Sequence, residues 1–233
     1  MAIDSIEVAS SPSHFNQSRH FYLAVDRLQF KTETLVDLLG VLGRRPSLPI
    51  VLCCSTRDEL DSVCRAVSAL QNISLASLTS ITFLLLIIVV TYGADYRLYV
   101  QAIQHSDLAE SERMLILEKF HQVTVERNRN FASQFGVESE AGSEEHKSAM
   151  IVVTDACLPL VASGESSASA HLLINYELPT KKEAYFRRVS TCLAADGIVI
   201  NMVVGGEVVT LKNLEESIGL VIAEMPIQIS EVL

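Results

Sequence analysis

Residues able to do chemistry are sparse in this chain and poorly spaced for it. The five cysteines, Cys53, Cys54, Cys64, Cys157 and Cys192, are odd in number and form no C-x-x-C pair. A disulfide framework or a zinc site needs paired, closely spaced sulfurs, so these read as reduced, small core residues. The histidines, at 14, 20, 105, 121, 146 and 171, show no ligand spacing. Adjacent acids such as Asp58-Glu59 and Glu144-Glu145 read as solvated faces. A working acid/base pair must instead face a substrate from two sides. No G-x-x-x-x-G-K-[ST], G-x-G-x-x-G or G-x-S-x-G occurs, so neither a phosphate-cradling loop nor a nucleophile elbow is present. Neither a catalytic residue nor a metal ligand is expected.

The elements that would have to position any site alternate in type. FYLAV (21–25) is strand-like, and 31–42 carries an apolar stripe at Leu35, Val36, Leu38, Leu39 and Leu42, which predicts a helix. PIVLCC (49–54) is apolar throughout, as in a strand buried on both faces. Ser55 or Thr56 can cap the next helix, with acids in its first turn. NISLASL (72–78), AMIVVTDA (149–156), HLLINYELP (171–179) and GIVINMVV (197–204) read as further strands. LAESERMLILEKFHQ (108–122), KKEAYFRRVSTCLA (181–194) and LKNLEESIGL (211–220) read as helices. Apolar strands alternating with helices predict a three-layer α/β sandwich, a mostly parallel sheet covered on both faces. Residues 1–19 read as a flexible lead-in, and the Ser/Glu-rich run within 126–148 as a polar surface loop.

Composition narrows the function classes. The chain has 233 residues, 49% of them hydrophobic, and a net charge of −10. An acidic chain does not attract nucleic acid through its overall field. Trp is absent and aromatics are 6%, which argues against a wide base-stacking platform. The N-terminal residues lack an apolar signal core, so a reducing compartment, cytoplasm or nucleus, is expected over secretion.

Taken in order, several segments resemble the second, C-terminal RecA-like domain of DEAD-box RNA helicases, nearest the translation-initiation-factor type. HFYLAVDRLQFKTETLVDLL (20–39) is similar to the family's opening segment of that domain, and IVLCCSTRDELD (50–61) to its motif IV. HSDLAESERMLILEKF (105–120) resembles the H-G-D-x-x-Q-x-x-R helix, and MIVVTDA (150–156) the start of motif V. LLINYELPTKKEAYFRRV (172–189) resembles the approach to motif VI, and GIVINMV and EMPIQISEVL the closing strand and tail. The resemblance covers 20–233 and implies a RecA-like fold. It implies RNA contacts at Thr56 and Arg57, at Arg113, and at Thr154 and Asp155. It also implies ATP and Mg2+ as cofactors, held largely by a first domain whose P-loop and acids have no counterpart in these 233 residues.

The departures fall on the nucleotide side. In motif V the expected arginine falls on Pro159, the glycine on Leu160 and the ribose-binding acid on Ala162. In motif VI the histidine becomes Arg187, the glycine Ser190 and the second arginine Thr191, leaving Arg188. Thr191 cannot supply the forked, charged hydrogen bonds of a guanidinium. Arg187 and Arg188 are therefore expected as nucleotide-facing remnants, and the isolated chain is expected to hold no cofactor. Glu110 stands where the helix motif has glutamine. The resemblance then implies a degenerate, non-catalytic binding or regulatory module in RNA metabolism. RNA, a helicase core or a scaffold protein are its partners. The other reading is one part of an ATP-dependent helicase whose first domain lies elsewhere.

One stretch does not fit. Residues 66–94 contain no charge, and 81–90 form the most apolar decamer. Removing 79–104 would join NISLASL directly to HSDLAESER, close to the family pattern. Such loops usually run about 2–6 residues. A membrane helix needs about 20 predominantly apolar residues, and its left part would have to come from the RecA strand. The alternatives are an apolar docking insert, or translated non-coding sequence whose uridine-rich codons yield Phe, Leu, Ile, Val and Tyr and which ends at Gln104.

Overall fold

The computed structural model describes residues 18–42, 48–68, 73–75, 85–92, 96–103, 118, 120–122, 124–125, 148–158 and 167–229. The 1–17 part of the lead-in, most of the polar loop and the first part of the helix expected at 108–122 lie outside them. Residues 118, 120–122 and 124–125 are helical.

Chain order runs β1 (Arg19–Val25), a short 3-10 turn (Leu28–Phe30), α1 (Lys31–Leu42), β2 (Ile50–Cys54), α2 (Arg57–Ser68) and β3 (Ile73–Leu75). Then come β4 (Leu85–Tyr92), β5 (Tyr96–Ile103), β6 (Ser148–Thr154), β7 (Ala170–Asn175), α3 (Lys182–Cys192), β8 (Leu193–Val204), α4 (Val208–Ile218) and β9 (Ala223–Glu224). These strands form one sheet in the order β3-β4-β5-β6-β2-β7-β8-β1-β9. Only β4 runs against the rest.

The period-2 alternation of the strands builds two cores. Ile50, Leu52, Met150, Val152, Leu172 and Ile174 face α1 and α2. Val51, Cys53, Ile151, Val153 and Leu173 face α3, α4 and Phe120. Helix α1 buries Leu35, Leu38, Leu39 and Leu42, the i, i+3, i+4, i+7 stripe of an amphipathic helix. Each such leucine contributes about 2–3 kcal/mol of transfer free energy, and Leu39→Ala would cost about 2–5 kcal/mol. The three-layer α/β sandwich is as expected.

Two elements differ from the sequence reading. Strand β8 begins at Leu193, before Gly197, because the chain pairs with β7 on both sides of a bulge: Ala170 opposes Leu193 and Leu172 opposes Ile198. A Cβ at Gly197 would sit 2.5 Å from the Leu193 side chain, so a larger residue there would force Leu193 to shift. Helix α4 ends at Gly219, whose φ of 69° is left-handed and whose N–H donates to Glu215 O at 2.9 Å, a glycine C-cap.

In its described residues the apolar stretch is strand, not helix. Strands β4 and β5 form an antiparallel hairpin, and β5 pairs in parallel with β6 from Leu98↔Ser148 to Ala102↔Val152. Strand β3 is thereby set two strands away from β6, paired with β4 alone. Among the described residues no helix is long and apolar enough to cross a membrane.

Candidate functional site at the carboxyl ends of the strands

Parallel sheets gather ligands beyond the carboxyl ends of their strands. Here β6, β2 and β7 lie side by side, with Thr154 opposite Cys54 and Asn175 opposite Cys53. The turns that leave them, Ser55-Thr56, Asp155 and Tyr176-Glu177, therefore converge.

Arg188, on α3, ties these turns together. Its Nε and Nη2 donate to the two oxygens of Asp155 at 2.6 and 2.8 Å. Nη1 donates to Asn175 Oδ1 at 3.0 Å and to Glu177 O at 2.8 Å. Nη2 also donates to Ser55 Oγ at 3.1 Å. A guanidinium has five N–H donors, and all five are used inside the protein. Arg188 is fully buried, while Asp155 is one-third exposed. Burial works against the charge on Arg188, but the bond to Asp155 and the charge interactions with Asp155, Cys53 and Cys54 together outweigh it, and the guanidinium is held more firmly protonated than usual.

The other expected residues fall out as follows. Thr56 is exposed and caps α2, its Oγ1 accepting from the Glu59 N–H at 3.3 Å. The Glu177 carboxylate accepts from the N–H groups of Ser55 and Thr56 at 2.7 and 3.3 Å, so a negative group already sits at the positive end of α2. Arg57 is exposed in the first turn of α2. Thr154 is buried and its hydroxyl donates to Cys157 Sγ at 3.6 Å. Arg187 is half-buried and donates from Nη2 to Leu158 O at 3.3 Å. The Thr191 hydroxyl turns back along α3 to Arg187 O at 2.7 Å. Arg113, Glu110, Pro159, Leu160 and Ala162 lie outside the described residues.

So the structure brings Thr56, Arg57, Asp155 and Arg188 to one end of the sheet. It turns Arg188, expected as a nucleotide-facing remnant, into an internal clamp. The reason is steric and electrostatic: the group is fully enclosed, and each donor already has an oxygen. Sequence reasoning missed Ser55, Asn175 and Glu177. Asn175 carried a usable signal, since an asparagine within an apolar strand must be hydrogen-bonded when buried.

Carboxylates also gather at this end. Burial and then Glu177 hold the Glu59 carboxyl above its usual range. Lys31 is buried, with Nζ over the Tyr176 ring at 5.1 Å and 3.9 Å from Glu207. The five cysteines are free and buried. Burial pushes the Cys53 and Cys54 thiols well up, and Cys64 to about 12, so these three are poor nucleophiles. Among the described residues no group of three His, Cys, Asp or Glu side chains could hold a metal ion.

No family model matches the chain. Sequence relatives are nonetheless consistent in kind. Eukaryotic initiation factor 4A of Cryptosporidium parvum is 24% identical over 217 residues, 92% of this chain and 40% of its own length. The ATP-dependent RNA helicase eIF4A of Candida glabrata is 25% identical over 210 residues, 89% of this chain. The chain is related to the DEAD-box RNA helicases. It spans about 40% of the length of these curated relatives. The fold agrees: the C-terminal domain of the DEAD-box protein Dbp5 superposes over 94% of this chain and 96% of that domain, with a TM-score of 0.54 and 13% identity. A DEAD-box protein of Methanococcus jannaschii matches with a TM-score of 0.55 and 17% identity over 91% of this chain. The DEAD-box relationship therefore attaches to a RecA-like domain of the C-terminal kind, as the motif order implied.

Proposed function

We propose that this DEAD-box relative is a non-catalytic binding or regulatory module of RNA metabolism, working in the cytoplasm or nucleus. The observation that carries the reading is the closure of Arg188, with all five donors bound to Asp155, Asn175, Glu177 and Ser55. Phosphoryl transfer needs cationic donors aimed at the transferring group. On α3 Arg188 is spent, Arg187 donates to a carbonyl, and Thr191 bonds its own helix. These groups do not fit a nucleoside triphosphate. Thr56, Arg57, Asp155 and Arg113 are the proposed places for an RNA backbone; Thr154, expected among them, is buried. S. cerevisiae Dbp5 has been solved bound to RNA and an ADP complex, with a TM-score of 0.56 to this chain. A helicase core or scaffold protein is the proposed protein partner.

The relatives' greater length favours a second reading, in which this chain is the rear half of an ATP-dependent helicase. One experiment separates the two. RNA-stimulated ATP hydrolysis is measured for the purified chain, alone and mixed with the first domain of an initiation-factor relative. The first reading expects background rates in both. Hydrolysis rescued by the added domain would establish the second.

A further inference from the structure

The clamp at Arg188 does not end at Asn175. Asn175 Nδ2 donates to Asn201 Oδ1 at 2.8 Å. Asn201 Nδ2 donates to Phe21 O at 2.9 Å and to the Tyr185 hydroxyl at 3.4 Å. The Tyr185 hydroxyl lies 2.7 Å from His20 Nδ1, and His20 Nε2 lies 2.8 Å from Ser18 Oγ. A continuous polar path thus runs through the core from Asp155, beyond β6, to the start of β1.

Chemistry fixes the direction of the protons on this path as far as the Tyr185 hydroxyl. A guanidinium only donates, so Asn175 must present its oxygen to Arg188 and its amide nitrogen to Asn201. Asn201 must then accept with oxygen and donate with nitrogen, to Phe21 O and Tyr185. With Tyr185 accepting from Asn201, the arrangement that gives its own buried proton an acceptor points it to His20 Nδ1. In that arrangement His20 is neutral with its proton on Nε2, which donates to Ser18 Oγ. Every bond is polarised away from the guanidinium charge, the arrangement in which hydrogen bonds in a chain strengthen one another.

We propose that Tyr185 and His20 are positioning residues for the Asp155–Arg188 pair, acting through Asn201 and Asn175 and linking the site to the first strand of the domain. The link would carry a disturbance at Arg19–Phe21, where the chain enters the sheet, to the residues that face a ligand. Burial agrees with the assignment: it lowers the His20 pKa to about 4 and raises that of the Tyr185 hydroxyl, keeping both neutral. The inference shares its site with the RNA reading, but it is read from proton positions without RNA. Loss of RNA binding and failure of the link are thus separate results.

The first test needs no variant. Nitrogen-15 spectra of the labelled chain should show His20 as the Nε2–H tautomer at neutral pH, staying neutral down to about pH 5. A proton on Nδ1, or titration at the ordinary histidine value, would overturn the proposal. The second test follows solvent exchange of the Arg188 Nε–H. His20→Leu, which removes the acceptor, should speed it about tenfold, the effect of one hydrogen bond of about 1.4 kcal/mol. His20→Gln, whose side-chain oxygen can take the tyrosine proton, should restore slow exchange. Equal exchange in all three folded proteins would also sink the idea.

Discussion

At the scale of single residues, the molecule has put its strongest cation where a ligand cannot reach it. An ion pair taken out of water gains little net stability, but removing one member leaves the other uncompensated. Arg188→Ala should destabilise the chain by about 3–5 kcal/mol in urea unfolding. Arg188→Lys should recover only part of that, because an ammonium cannot reach five oxygens in the plane of a guanidinium. A lysine variant as stable as the parent would show that the forked geometry is idle. His20 makes a second prediction. Its pKa is about 4 when folded and about 6.5 unfolded, so the unfolded chain binds more protons between those values. Stability from this residue is complete above about pH 6.5 and is lost as the pH falls towards 4, by up to ~3 kcal/mol. Across that window the urea midpoint of the parent should fall relative to that of His20→Gln, which has no imidazole to protonate.

At the scale of elements, most of the sheet could be read in advance because burial leaves a period. Strands β2, β6 and β7 are apolar on both faces, and α1 shows its leucine stripe; local pattern and global role agree there. The bulge in β8 was hidden, since LAADG has no strand pattern and pairs only because β7 lies beside it. The clamp was hidden too: Arg188 and Asp155 stand 33 residues apart in sequence, and nothing local tells a buried arginine from a solvated one. Pattern did mark the uncharged run as unusual, but not that its backbone would join the sheet. That placement makes a prediction. Strand β5 occupies the position beside β6, and β3 pairs with β4 alone. If 79–104 is an addition to an otherwise complete domain, deleting it lets β3 move against β6. The shortened chain should then keep its thermal midpoint within a few degrees. It should also aggregate less, having lost a β-branched, uncharged segment of the kind that stacks between chains. A deletion that unfolds the protein would make the hairpin an integral part of the sheet.

At the scale of the whole molecule, charge limits what the exposed end of the sheet can bind. The chain carries −10 overall, and beside the clamp lie Glu177, Glu59 and Asp58. Among the described residues around the clamp, Arg188 is neutralised by Asp155, Lys31 is buried and Arg187 is half-buried against Leu158 O, while Arg57 is exposed in the first turn of α2. Polyanion binding is driven mainly by release of the counterions that each contacting cation displaces. A single strand contacted by one or two cations should therefore bind with a salt slope no steeper than about −1.5, at roughly 0.7 per phosphate. Titration of a labelled single-stranded RNA at several salt concentrations measures that slope directly. Arg57→Ala should flatten it by about 0.7 and leave the urea midpoint nearly unchanged, since exposed charges contribute little to stability. A slope of −4 or steeper would require a basic surface outside the described residues, with Arg113 the first position to test. If Arg57→Ala instead left the slope intact, the RNA would not cross this end of the sheet, and the clamp would serve only to lock the turns after β2, β6 and β7 together.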